Sequence, residues 1–98
     1  MEINIKHEDK MVVSLKGRLD TVTSLEFAEK LNKEEIKEQV VIVDMKELEY
    51  ISSAGLRALL ALKKSLVTKG KELEIHNLNA ICEEVFKVTG FINILTVK

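Results

Sequence analysis

The sequence is short of the residues that most often carry chemistry. It has one cysteine (Cys82), no tryptophan, no proline, four glycines and an aromatic content of only 4%. A single thiol closes no intrachain disulfide and builds no multi-cysteine zinc site. So few aromatics offer no platform for stacked bases. Neither sign of charge predominates: 15 basic against 16 acidic residues leave a net charge of −1, without the basic surplus of a nucleic-acid-binding protein. The apolar runs are far too short to span a bilayer. The N-terminus, Met1-Glu2-Ile3-Asn4-Ile5, alternates instead of forming the apolar stretch of a signal peptide. These absences point to a reduced, soluble, cytoplasmic protein with no cofactor and neither a nucleic-acid nor a membrane partner.

What is present is ordinary globular material, with 46% apolar and 32% charged residues. A chain of 98 residues hides about 60–70% of its unfolded surface, enough for one modest core. No linker, repeat or low-complexity segment divides it, so a single domain over residues 1–98 is expected.

Ile3 and Ile5 alternate with polar residues as in a half-buried strand. Glu8-Asp9-Lys10 reads as a turn, and Met11 to Leu15 as the second arm of a hairpin that Gly17 ends. Thr23-Ser24-Leu25-Glu26 fits a capping box, opening a helix with Leu25, Ala28, Leu31 and Ile36 on its apolar side. Gln39 to Asp44 is a β-branched run that suits a strand covered on both faces. A second helix is expected from Ser53 to Lys69, with Leu56, Leu59, Leu60, Leu62 and Leu66 turned inward and Gly70 as its stop. Lys71 to His76 reads as a strand. Asn79 can cap a third helix carrying Ile81, Cys82, Val85, Phe86 and Val88, which Gly90 ends, and Phe91 to Val97 reads as a last strand. The order ββαβαβαβ implies an α/β fold. Its sheet is mixed and largely parallel, of 4–5 strands, with about three helices packed on it.

Tyr50-Ile51-Ser52-Ser53-Ala54-Gly55-Leu56-Arg57 places two hydroxyls and a glycine at a helix N-terminus. Free N–H groups and the positive dipole end favour negative charge there. A hydrolase elbow needs Gly-x-Ser-x-Gly, but Ile51 occupies the first glycine position. The only histidines available as a base, His7 and His76, read as strand-end residues. The P-loop pattern fails as well, because Gly70-Lys71 is followed by Glu72. Asp44 at a strand end resembles a phosphoacceptor aspartate. The acidic pair such a site needs for a divalent cation is missing, since Glu8-Asp9 lies at a hairpin tip. Asp44 is therefore expected to shape a turn. Asp20, Thr21 and Thr23 read as residues at the start of a helix, with a possible contact role. Cys82 reads as a buried, inert thiol. Lys63, Lys64, Lys69 and Lys71 read as a solvated face. No complete catalytic set is present, and the protein is not expected to be an enzyme.

Three segments together carry a family pattern. They are Gly17-Arg18-Leu19-Asp20, the strand Val40 to Asp44, and Leu48 through Arg57 with its Ser-Ser-Ala-Gly-Leu-Arg core. Val85-Phe86-Lys87-Val88-Thr89-Gly90-Phe91 matches the family's closing helix-turn. The chain resembles the STAS family, and within it the bacterial anti-sigma factor antagonists. The resemblance implies a partner switch. The unphosphorylated antagonist binds an anti-sigma factor that is also a serine kinase, and so frees a sigma factor. Phosphorylation of a serine releases the antagonist, and a serine phosphatase resets it. In the family pattern the modified serine lies two before the glycine, which implies Ser53, with Ser52 as the second candidate. Asp20, Thr21, Ser52, Ser53, Gly55, Leu56 and Arg57 would meet the partner: Gly55 by letting its backbone approach, Leu56 as an apolar contact and Arg57 at the rim. Many members carry Asp where this chain has Ser52, and the last helix of longer members is not expected after Phe91. A monomer or weak dimer is expected. The alternative function is a STAS module of another system, such as a lipid- or anion-transport regulator or a ligand-binding scaffold, without sigma-factor control.

Overall fold

The computed structural model describes all 98 residues. Its elements run β1 (Glu2–His7), β2 (Met11–Leu19), α1 (Thr23–Lys33), β3 (Val40–Ile51), α2 (Ser53–Thr68), β4 (Glu72–His76), α3 (Ala80–Thr89), a 3-10 turn (Phe91–Asn93) and β5 (Thr96–Val97). Apart from that short turn this is the order read from the sequence. The five strands lie side by side in chain order. β1 and β2 form the antiparallel hairpin, and the remaining pairings are parallel.

Strand order decides where the core lies. Every crossover moves the chain in the same direction across the sheet, and right-handed crossovers then put all three helices on one face. Val13, Val43 and Ile75 share a register row, are wholly buried, and face those helices. The alternate row, including Val12, Ile42, Ser14 and Asp44, is only half-buried. The β-branched run in β3 is therefore fully covered on one face, not on both as expected. Phe27 and Leu31 from α1, Leu56, Leu59 and Leu66 from α2, and Cys82 and Phe86 from α3 complete a core of 19 residues.

Four boundaries differ from the sequence reading. β2 continues through Gly17 to Leu19, because Gly17 takes a φ of +109°, which a side chain would resist. β3 continues past Asp44 to Ile51. Opposite β2 it carries extra residues, since Ser14 pairs with Asp44 but Lys16 with Glu47, and Gly17 with Leu48 but Arg18 with Tyr50. These bulges reset the alternation, so the buried positions Met45, Leu48 and Ile51 step by three. A strict two-residue pattern stops at Asp44 for this reason. The Asp44 carboxylate turns no loop; it accepts from the Lys46 amide at 3.0 Å and from Asn77 Nδ2 at 2.9 Å. Lastly, α1 ends at Lys33, Ile36 packs on the core from the connector that follows, and the last strand shrinks to Thr96–Val97.

The helix ends rest on side chains. Asn79 Oδ1 accepts from the Cys82 amide at 2.8 Å, as expected of a cap. Its Nδ2 also donates to the Leu48 carbonyl at 2.6 Å, which ties α3 to the far end of β3.

Candidate functional site

The bulged ends of β2 and β3 bring two helix N-termini together. Leu19 pairs with Ile51, and the Ser52 amide donates to the Leu19 carbonyl at 2.9 Å. Both strands then give way to helices on the same side of the sheet. Asp20 and Ser52, one residue beyond that pairing, stand next to each other at the two openings.

At the first opening the expected capping box has moved upstream. The Val22 and Thr23 amides each donate to Asp20 Oδ1 at 3.0 Å, and the Asp20 amide donates to Thr23 Oγ1 at 2.8 Å. This is the reciprocal bonding of a capping box, built on Asp20 and Thr23 and not on Thr23 and Glu26. The Thr23 hydroxyl also donates to the Arg18 carbonyl at 2.6 Å, which fixes the loop to β2. The Thr23 amide holds the Asp20 carboxyl below its ordinary value; partial desolvation opposes this, while the Thr23 hydroxyl, the Val22 amide and the Arg18 charge assist. Asp20 is thus a fixed negative charge at neutral pH. Thr21 is exposed beside it.

At the second opening the two serines do different work. Ser52 is half-buried, and its Oγ accepts from the Gly55 amide at 3.2 Å, capping α2. Ser53 is the first residue of α2 and is exposed. The first turn of α2 holds no acidic side chain. Arg57, four residues on, is exposed on the same side of the helix as Ser53.

Gly55 and Leu56 face inward. A Cβ on Gly55 would lie 2.7 Å from the Leu19 carbonyl oxygen, 2.8 Å from Ile51 Cγ1 and 2.9 Å from Leu19 Cγ. The close backbone approach expected from a partner is made by this chain's own β2. Leu56 is 2% exposed and belongs to the core, as its place in the helix period predicted, and is not the apolar surface contact that the family resemblance implied. Of the seven residues singled out, Asp20, Thr21, Ser52, Ser53 and Arg57 gather around the two openings, while Gly55 and Leu56 support them from beneath.

The sequence reading missed an apolar surface here. Val22, at the N-cap of α1, and Leu25, in its first turn, are 75% and 72% exposed. Leu25 was expected inside. The buried side of α1 is Ser24, Phe27 and Leu31, and the spacing of the two largest side chains, Phe27 and Leu31, was the signal for it. The reading also missed Arg18, whose guanidinium lies 4.6 Å from the centroid of the Tyr50 ring across the two strand ends.

No group of three or more His, Cys, Asp or Glu residues converges as a metal site. His76 bonds to Glu74 at 2.9 Å and His7 to Glu34 and Glu38, all distant in the fold from Ser53. Cys82 is buried, and burial pushes its thiol up, which disfavours the reactive thiolate. No helix is long and apolar enough to cross a membrane.

Comparison with known proteins places the fold in a family. The model of the STAS domain matches residues 2–98. The chain is 28% identical to the anti-sigma-B factor antagonist of Listeria monocytogenes, over 100% of this chain and 87% of that one. Among solved structures, an anti-sigma-factor antagonist (STAS) domain protein from Planctomyces limnophilus superposes with a TM-score of 0.84. It is 19% identical and covers 97% of this chain and 87% of its own. A sulfate transporter family protein from Wolinella succinogenes superposes with a TM-score of 0.80 at 18% identity, covering 96% of this chain and 80% of its own.

Proposed function

The chain belongs to the STAS domain family, and from that membership we propose that it is an anti-sigma factor antagonist switched by phosphorylation of Ser53. In its unphosphorylated state it binds an anti-sigma factor that is also a serine kinase, and this binding frees a sigma factor. Transfer of a phosphoryl group to the Ser53 hydroxyl ends the association, and a serine phosphatase restores it. The protein is acted upon and catalyses nothing itself.

The observation that carries this reading is the division of labour between the two serines. Ser52 spends its oxygen on the Gly55 amide, whereas Ser53 is exposed at the start of α2. A phosphate on Ser53 adds roughly −1.5 to −2 charges. At a helix N-terminus that charge is locally favourable, so the fold is expected to survive it. In a contact surface the effect is the opposite. Asp20 already stands at the neighbouring opening as a fixed negative charge, and a second anion beside it is costly to desolvate against a partner. Asp20, Thr21, Ser52, Ser53 and Arg57 form that contact surface in this proposal, with Gly55 and Leu56 setting its shape from below. The curated relative named above, an anti-sigma-B factor antagonist, supports the same reading. The likeness to the sulfate transporter family protein, at 18% identity, is a likeness of fold alone and does not favour a transport role.

The test is to incubate the protein with the serine-kinase anti-sigma factor of its own genome and ATP, then map the modified residue by mass spectrometry. Modification at Ser53, retained binding by Ser53→Ala and weakened binding by Ser53→Asp are the expected results. Equal affinity of wild type and Ser53→Asp for that partner would overturn the proposal.

A further inference from the structure

At the end of the molecule opposite Ser53, His7 closes β1 and faces the connector between α1 and β3. Its Nε2 lies 2.6 Å from Glu34 Oε1 and its Nδ1 lies 2.8 Å from Glu38 Oε2. Ionised carboxylate oxygens only accept, and a neutral imidazole has only one N–H to give. Both contacts are satisfied together when both ring nitrogens carry protons. Neither partner is adjacent in sequence, so the ring joins the hairpin to a segment that follows a whole helix.

The connector does more than link two elements. Glu34 and Ile36 stand at the lower end of a cleft between α1 and α2 of about 150 Å³, whose walls include Phe27, Ala28, Ala58 and Leu62. Three side-chain ties hold the connector from outside. Lys71 donates to the Ile36 carbonyl, Gln39 donates to the Gly70 carbonyl, and His7 holds Glu34 and Glu38. Only the His7 tie depends on a group that gains or loses a proton near neutral pH.

We propose that His7 is a proton-operated clasp: protonated, it pins the α1–β3 connector across the lower end of the α1–α2 cleft, and its deprotonation lets that end open.

The surrounding charges are consistent with this. Glu34, Glu35, Lys37 and Glu38 share a shallow depression with His7, giving three carboxylates against one ammonium from the connector. Glu38 also accepts from the Lys37 amide at 3.2 Å. On the hairpin side, Lys6 precedes His7 and Glu8, Asp9 and Lys10 follow it, with Lys10 engaged by Glu74 at 3.8 Å. The Glu34 and Glu38 hydrogen bonds raise His7 above its ordinary value of 6.5, with partial desolvation opposing and the two carboxylate charges assisting. With a raised folded-state value, the clasp is fully formed below that ordinary value and is lost as pH rises through the raised one. The device is separate from the Ser53 switch and stands whether or not that serine is modified.

The test combines imidazole titration by NMR with amide hydrogen exchange on the full chain, corrected for intrinsic rates, at about pH 6 and about pH 8.5, either side of the imidazole range. Protection of the Glu34 and Lys37 amides, which donate to the Leu31 carbonyl and to Glu38 Oε1, is expected to fall several-fold between the two, while protection of the α2 and β4 amides holds. His7→Gln is expected to show the lower protection at both pH values. Glu38→Gln, which leaves the ring in place, is expected to move the His7 midpoint down towards the ordinary value. Connector protection that is independent of pH in the wild type, or an equal fall in His7→Gln, would overturn the proposal.

Discussion

The carbonyl oxygen of Leu19 occupies the space that a side chain on Gly55 would need, with a Cβ falling 2.7 Å from it. This contact sets how closely α2 approaches the end of β2, and with it the separation of the two helix openings. Gly55→Ala gains up to about 1 kcal/mol of helix propensity. It must also displace backbone in a packed site, which typically costs about 1–3 kcal/mol. Net destabilisation is expected in a urea or thermal melt, together with weaker binding to the proposed anti-sigma factor partner. An unchanged or raised midpoint would mean that α2 is free to shift.

The two serines are expected to separate cleanly. Ser52→Ala removes the oxygen that accepts from the Gly55 amide, a loss of about 1 kcal/mol for a helix cap. Ser53→Ala removes an exposed hydroxyl and is expected to leave stability within about 0.5 kcal/mol of wild type. Modification should follow the reverse pattern: kept in Ser52→Ala at a reduced rate and abolished in Ser53→Ala. Melts and kinase assays on the two variants decide it.

Asp20 gives the α1 end a pH signature. Its folded-state value lies below the ordinary one, chiefly through the Thr23 amide. The stabilisation is therefore complete above the ordinary carboxyl value of about 3.8 and disappears as pH falls through the lower folded-state value. Asp20→Ala is expected to melt below wild type at neutral pH, with the difference shrinking in that acidic window. Asp20→Asn, which keeps an acceptor for the Val22 and Thr23 amides, is expected to lie between them. A gap between wild type and Asp20→Ala that stays constant into acid would assign the effect to something other than the cap.

Leu25 and Phe27 test which side of α1 is buried. Phe27 is 1% exposed and Leu25 is 72% exposed. Phe27→Ala is expected to cost about 3–5 kcal/mol, while Leu25→Ser should change stability by no more than about 0.5 kcal/mol. Binding is the more informative measurement for Leu25, because it is an exposed apolar side chain in the first turn of α1, close in sequence to the proposed contact residues Asp20 and Thr21. A measurable loss of affinity without loss of stability is expected there.

The sequence by itself determined the order of the elements, the single α/β sheet and the start of α2 at Ser53. Hydrophobic period distinguishes strand from helix, and Asn79 and Gly90 bound α3 through contacts within a few residues of themselves. The reading failed where distant backbone decided the outcome. The bulges of β3 exist only opposite β2, so Asp44 read as a strand end and the stretch from Lys46 to Ile51 was not counted as strand. Gly55 looked available to a partner because nothing in the chain announces that Leu19 lies against it, whereas the helix period had already turned Leu56 inward. Both serines carry a hydroxyl at the right place in sequence. Only the folded loop, by turning Ser52 Oγ onto the Gly55 amide, left Ser53 as the one standing in solvent. Local chemistry writes itself into adjacent residues, whereas exposure and contact depend on which segments the sheet brings together.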